Sequence, residues 1–268
     1  MLRRSFLAAP LLAAAADDVP RVDYHAHPEH DMTVEKALAI SRQRNVKLGL
    51  VEHAGAKESP VSHRLSTDDE LRRWVRSLQG KPVYCGIQAE GMDWPRHFSK
   101  AVVAELDYVL GDALTMPYAG KMTKLWTADF HTTNPQDFMD RYVDYHIEVM
   151  AKQPLDILAN PTFLPAALQP DAARLWTEPR MRRIVEAAKQ YGIAIEINTK
   201  YNVPAMPFLE MAKAAGLQFS FGSNAHTADA IGDITWCLEV WQKLALAASR
   251  FFRPAPAGKK PIQLRTLA

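Results

Sequence analysis

A chain of 268 residues with 48% hydrophobic content is long enough to bury one sizeable core, and its ordinary charged fraction of 23% argues against disorder. The formal charge is +2, from 32 basic and 30 acidic side chains, and without Arg3 and Arg4 the charges balance at 30 against 30. That balance argues against nucleic-acid or membrane-surface partners, which demand a basic patch, and the two cysteines rule out a disulfide framework or thiolate zinc cluster, leaving at most one Cys85–Cys237 bridge.

The first sixteen residues place a basic pair before an apolar run and end in small residues, the pattern of an export signal. Phe6–Ala16 is too short to span a bilayer, which needs about 20 apolar residues, so stable membrane association after removal of the segment is not expected. Arg3-Arg4-Ser5-Phe6-Leu7 looks like a twin-arginine signal, with an ordinary secretory signal as the alternative; both predict a mature protein outside the cytoplasm. From Asp17 to Phe252, short Val- and Ile-rich runs alternate with amphipathic stretches. Strands are predicted at Val22–His25, Leu48–His53, Val83–Glu90, Tyr108–Ala113, Ile157–Ala159, Ala194–Ile197 and Phe219–Ser223. Helices are predicted at Val34–Arg44, Thr67–Leu78, Pro135–Lys152, Glu178–Tyr191 and Pro204–Ala215, with Gly192 and Gly216 at helix ends. Seven strands alternating with helices imply βαβ units closing into one α/β barrel domain, residues 17–252. Residues 253–268, rich in Pro and Lys, read as a surface extension.

Polar residues collect where these strands end. The first strand runs into Asp23-Tyr24-His25-Ala26-His27, and in extended chain His25 and His27 project to the same side, where two imidazoles can meet one cation. Pro28-Glu29-His30 follows directly. Later strands end near His53, Glu90, Asp112, Glu196, and Asn224 with His226. A parallel barrel gathers such ends on one face. Six of the nine histidines lie at or just beyond strand ends, and imidazoles with a carboxylate suit zinc, manganese or iron. Lys200, Tyr201 and Asn202 follow the sixth strand and should border the same pocket; Lys200 is a candidate phosphate contact, a solvated loop lysine being the plainer reading, and His63-Arg64 invites the same assignment. Trp94, Trp126 and Trp176 are expected to cap the barrel rather than line the pocket.

These runs resemble the motifs of the polymerase and histidinol phosphatase (PHP) superfamily. Val22-Asp23-Tyr24-His25-Ala26-His27 looks like its first motif, Val51-Glu52-His53-Ala54-Gly55 its second, and Gly222-Ser223-Asn224-Ala225-His226 its closing motif. Glu90 matches the carboxylate that bridges metals in that family. The resemblance implies a distorted seven-stranded (β/α) barrel and a divalent-metal site, with His25, His27, Glu90 and His226 as the foremost ligands and His53 next.

The departures are equally informative. Where the family has a fourth-strand histidine this chain offers Asp112-Ala113-Leu114; the fifth-strand histidine is Asn160, and the closing aspartate is Asn224. Asp112 can serve as a hard oxygen ligand, and Asn224 only through a neutral amide oxygen. One or two ions are therefore expected rather than three. The implied function is a metal-dependent hydrolase, foremost a phosphoesterase acting on a small anionic, phosphorylated compound, with Glu90 at the metals and His226 or His53 protonating the leaving oxygen. Two alternatives stay open: an amidohydrolase-like metalloenzyme, and a non-catalytic binding protein on a barrel that has lost its ligands.

Overall fold

The computed structural model describes residues 19–29, 32–57 and 64–265. The export-like segment, His30 and His63 lie outside these residues, as does the side chain of Arg64. Seven short apolar runs form parallel strands: β1 Val22–Ala26, β2 Lys47–Gly55, β3 Tyr84–Glu90, β4 Tyr108–Gly111, β5 Ile157–Leu158, β6 Ala194–Asn198 and β7 Phe219–Gly222. They neighbour one another in that order. The longest ladder runs from Gly49 opposite Tyr84 to Gly55 opposite Glu90 between β2 and β3, with His53 opposite Gln88, two positions before Glu90. Helices over Val34–Arg44, Asp68–Leu78, Pro135–Lys152, Glu178–Tyr191 and Met206–Ala215 pack outside. Their ends follow local chemistry. Thr33 accepts from the Lys36 amide at the start of the first, and Gly192, at φ 68°, closes the fourth in the left-handed region that glycine enters without steric cost.

The barrel closes between β1 and β7 beyond the regular ladder. Ala26 bridges Ala225, with the His27 amide donating to the Ala225 carbonyl at 2.9 Å. Asp23 fastens this seam: its carboxylate accepts from the Ser223 amide (2.9 Å), the Ser223 hydroxyl (2.6 Å), the Gly232 amide (3.0 Å) and the His25 amide (3.0 Å). Burial raises the Asp23 carboxyl against the pull of these four donors. The seam matters because it sets the first and last strand ends, and with them His27 and His226, side by side.

Three expectations are corrected in detail. β4 stops at Gly111 because Asp112 turns the chain, its Oδ1 accepting from the Leu114 amide at 2.9 Å. The fifth of these helices starts at Met206 rather than Pro204 because Asn198 and Val203 exchange backbone hydrogen bonds that hold the intervening loop. A two-stranded hairpin, Thr115–Tyr118 with Lys121–Lys124, rises over the pocket and has no counterpart among the predicted elements. The C-terminal extension is firmly attached: Lys260 donates to the Ala104 carbonyl at 2.7 Å, Arg265 to the Met150 and Ala151 carbonyls, and Ile262 is buried. Cys85 and Cys237 are both free and buried. No helix among the described residues is long and apolar enough to cross a membrane.

Candidate metal centre

The strand ends surround a pocket of about 240 Å³ lined by Glu29, His53, Gln88, Glu90, Asp112, Asn160, Lys200, Asn224 and His226, with Lys124 and Trp126 reaching in from the hairpin. Two different kinds of polar surface meet in it.

One half is built of imidazoles and carboxylates. His27 is wholly buried, and neither of its ring nitrogens has a hydrogen-bond partner. Its ring lies between those of His53, at 4.6 Å, and His226, at 4.3 Å and only 7° from parallel. Burial, reinforced by the neighbouring His53, His25, His226 and Lys200, holds its pKa well below the usual range, so it is a neutral imidazole with a lone pair to offer. Glu29 spans the stack. Its carboxylate meets His226 Nδ1 at 2.9 Å and His53 Nε2 at 3.4 Å, and stands 3.9 Å from His27 Nδ1. Donor atoms of His27, Glu29 and His226 all lie within 4.8 Å of one another.

His53 is held differently. Its Nδ1–H donates to Glu90 Oε1 at 2.7 Å while Nε2 faces Glu29. Burial lowers its pKa, but the two carboxylates outweigh burial and push it to about 10. Gly55 allows the close approach of Glu90 to β2, since a Cβ there would strike the Glu90 carbonyl. His226, by contrast, is drawn below its usual value by burial despite its bond to Glu29. With its Nδ1–H donated to Glu29, its Nε2 lone pair faces Asn224 Oδ1 at 3.2 Å. In the tautomer that donates Nδ1–H to Glu29, Nε2 and Asn224 Oδ1 are two acceptors facing each other, an arrangement that suits a shared cation.

The residues therefore pass the test for a divalent cation. A buried imidazole with both nitrogens unpartnered costs about 1–3 kcal/mol per orphaned group, and here it sits beside a carboxylate and a second imidazole, the donor set of zinc, manganese or iron.

The other half is made of amides and is self-satisfied. Gln88 links His25 to Asp112: its Oε1 accepts from His25 Nε2 at 2.9 Å and its Nε2 donates to Asp112 Oδ2 at 3.1 Å. Asn160 also donates to Asp112 Oδ2 (3.1 Å), and its own Oδ1 accepts from Asn198 (3.0 Å) and Asn224 (3.3 Å). Glu196 accepts from His25 Nδ1 at 2.6 Å, the Asn160 amide at 2.7 Å and Asn198 Nδ2 at 3.0 Å. Gly222 is required beside it, because a Cβ there would collide with the Glu196 carboxylate. Burial opposes a charge on His25, but Glu196 raises its pKa overall, and both of its ring nitrogens are engaged. Burial and the Glu90 charge lift Asp112 to about 6 against the pull of its donors.

The structure thus brings together His25, His27, His53, Glu90, Asp112, Lys200, Asn224 and His226 at one end of the barrel, and divides them. His25 and Asp112 have their polar atoms engaged within the protein; the ring nitrogens of His27 do not. Glu29 and Gln88 are the residues that sequence reasoning passed over. Gln88 stands two before Glu90 on β3, so strand alternation carried its signal, whereas Glu29 follows Pro28 beyond the end of β1 and carried none. Lys124 had no local signal, since only the hairpin brings it to the pocket. Of the tryptophans, Trp94 and Trp176 are buried, and Trp126 stands exposed at the pocket mouth.

No protein-family model matches the chain. It is similar to a probable phosphatase of Pectobacterium carotovorum subsp. carotovorum, at 24% identity over 249 residues, covering 88% of this chain and 90% of that protein. It is also similar to the probable phosphatase YcdX of Shigella flexneri, at 21% identity with the same coverage. Among solved structures, it resembles the histidinol phosphate phosphatase of Lactococcus lactis subsp. lactis, solved with zinc, L-histidinol and phosphate. The TM-score is 0.63 at 14% identity, covering 92% of this chain and all of that one. The fold is the PHP-type barrel, and the relatives support the PHP resemblance of the motifs.

Proposed function

We propose that this chain is a metal-dependent phosphoesterase holding one divalent cation on His27, Glu29 and His226, with Asn224 Oδ1 at its edge. The observation that carries the reading is His27, buried with two unpartnered nitrogens against Glu29 and between two further imidazoles. The phosphatases similar in sequence and the structural neighbour with bound zinc and phosphate support it.

In this reading a bound cation supplies a nucleophilic hydroxide near neutral pH and Lewis-acid polarisation of the phosphoryl group. The protein supplies the rest. Lys200 and Lys124 line the pocket and neutralise the phosphoryl oxygens; desolvation lowers the Lys200 pKa. His53, oriented by Glu90, holds a proton to deliver to the departing oxygen. A water oxygen bonds to phosphorus, the ester P–O bond breaks, and the alcohol leaves with that proton. The substrate is a small phosphomonoester, since the pocket holds about 240 Å³. We also propose export, on the strength of Arg3-Arg4 and the apolar run after them, testable by fractionating cells that express the full chain.

A second reading, a binding protein without catalysis, is favoured by the amide half, where hydrogen bonds occupy ligand positions of the family pattern. Asn224 in place of an acidic residue weakens the amidohydrolase alternative. Hydrolysis of 4-nitrophenyl phosphate by protein loaded in turn with zinc, manganese and iron(II) decides between the first two. Turnover lost on chelation supports the enzyme; none with any of the three metals favours the binding protein.

A further inference from the structure

Beside the polar pocket lies a larger cavity of about 650 Å³, within the range of small-molecule sites. Its walls include Phe163, Leu164, Trp176, Met181, Tyr201 and Ala172, and Lys200 is the one charged residue among those lining it. Lys200 and Tyr201 line both spaces, so the two share a wall. The loops that follow β5 and β6 pass from one to the other. Asn160 faces the polar pocket and Thr162–Leu164 the apolar one; Lys200 and Tyr201 face both, and Asn202 and Val203 the apolar one.

This wall is built rather than incidental. Thr162 has φ 64°, a left-handed conformation that a β-branched residue enters at a cost of about 1–3 kcal/mol. It is held there from two sides, its carbonyl accepting from Trp176 Nε1 at 2.9 Å and its hydroxyl from the Ala205 amide at 3.3 Å. Phe163 packs edge-on against Tyr201, ring centroids 4.7 Å apart. The bonds tie the β5 loop to both sides of the cavity, and the ring contact fixes it against the shared wall.

We propose that the cavity receives the apolar alcohol portion of the substrate, so that the enzyme prefers phosphomonoesters of aromatic or branched aliphatic alcohols over those of small polar ones. This rests on the phosphoesterase reading of the adjoining pocket. An anion at Lys200 and an apolar group among Phe163, Trp176 and Met181 are the two ends of one such molecule. Lys200 is the one charged residue of the lining and Thr162, Gln169, Tyr201 and Asn202 its uncharged polar ones, the remaining lining residues being apolar.

The test compares 2-phenylethyl phosphate with glycerol 3-phosphate, both esters of primary alcohols, on the metal-loaded protein and on Ala172→Phe and Ala205→Phe, two variants that add bulk to the cavity lining. The wild type is expected to favour the aromatic ester by about tenfold or more in kcat/KM, as burial of a phenyl group allows. Both variants should lose that preference while hydrolysing glycerol 3-phosphate at the wild-type rate. Equal kcat/KM for the two esters, or a preference that survives in both variants, overturns the proposal and leaves the phosphoesterase reading standing. If neither ester turns over, that reading falls, and calorimetric binding still judges the cavity. Tighter binding of 2-phenylethyl phosphate, abolished by either filling variant, upholds it, and equal binding of the two esters overturns it.

Discussion

The two halves of the pocket sit at the same end of the same barrel, yet they stand in opposite states of polar satisfaction. In the amide half, Gln88, Asn160 and Asn198 reach carboxylate or amide oxygens, and His25 has both nitrogens bonded. In the imidazole half, His27 has neither nitrogen bonded, and His226 Nε2 faces an amide oxygen. The difference teaches that chemistry-bearing residues do not by themselves mark a ligand site; buried groups left without partners do, because the interior penalises them until a ligand arrives. A side-chain amide carries donor and acceptor together and can close a network unaided. A neutral imidazole beside a carboxylate needs a cation to do so.

The largest effect expected follows removal of the group left in need. His27→Leu should abolish stoichiometric metal binding and lower kcat/KM by about 1,000-fold or more, read by elemental analysis and phosphatase kinetics. It should also leave the metal-free protein no less stable, since it removes a buried orphan. A metal-free melting temperature well below wild type would show that His27 is a structural histidine. Next comes the amide half. Gln88→Leu strands His25 Nε2 and one bond of Asp112, and should cost about 2–3 kcal/mol in urea unfolding while the metal content stays the same. Loss of metal in that variant would join the two halves into one site.

Asn224, at the boundary, allows a gentler test. Asn224→Asp places a carboxylate where a neutral oxygen faces His226, and should tighten metal binding by about tenfold, about 1.4 kcal/mol, in competition with a chromogenic chelator. Unchanged affinity would remove Asn224 from the cation's surroundings. The smallest effect concerns Asp112. Its folded pKa near 6 lies above the ordinary 3.8, so the folded state holds the proton more tightly than the unfolded chain. That contribution to stability is complete below about 4 and is lost as pH rises through 6. In metal-free protein, wild type should therefore lose stability relative to Asp112→Asn between pH 4.5 and 7; a relative gain would reverse the assignment.

Much of this was legible in the sequence because period and position carry physical meaning. Seven apolar runs separated by amphipathic stretches have few solutions other than a barrel, and the structure shows that barrel with strand bounds shifted by one or two residues. His27, His53 and His226 were visible because strand ends converge. The split between the halves was not, since it depends on which nitrogen meets which oxygen across more than a hundred residues, as between His25 and Glu196. Glu29 was hidden by its neighbours: beside histidines it reads as loop polarity, and only the closed seam from Ala26 to Ala225 brings His226 to it. The hairpin carrying Lys124 was unreadable for a plainer reason. Its strands, Thr115–Tyr118 and Lys121–Lys124, mix charge and Pro without a run of apolar residues.

The measurement that bears most directly on the central claim is the number of zinc ions bound per chain, by elemental analysis after reloading and gel filtration, for the wild type and for His27→Leu. One equivalent in the wild type and none in the variant is the expected result. Two or more equivalents would mean that the amide half opens to ligate metal, and none would mean that the imidazole cluster serves the fold alone.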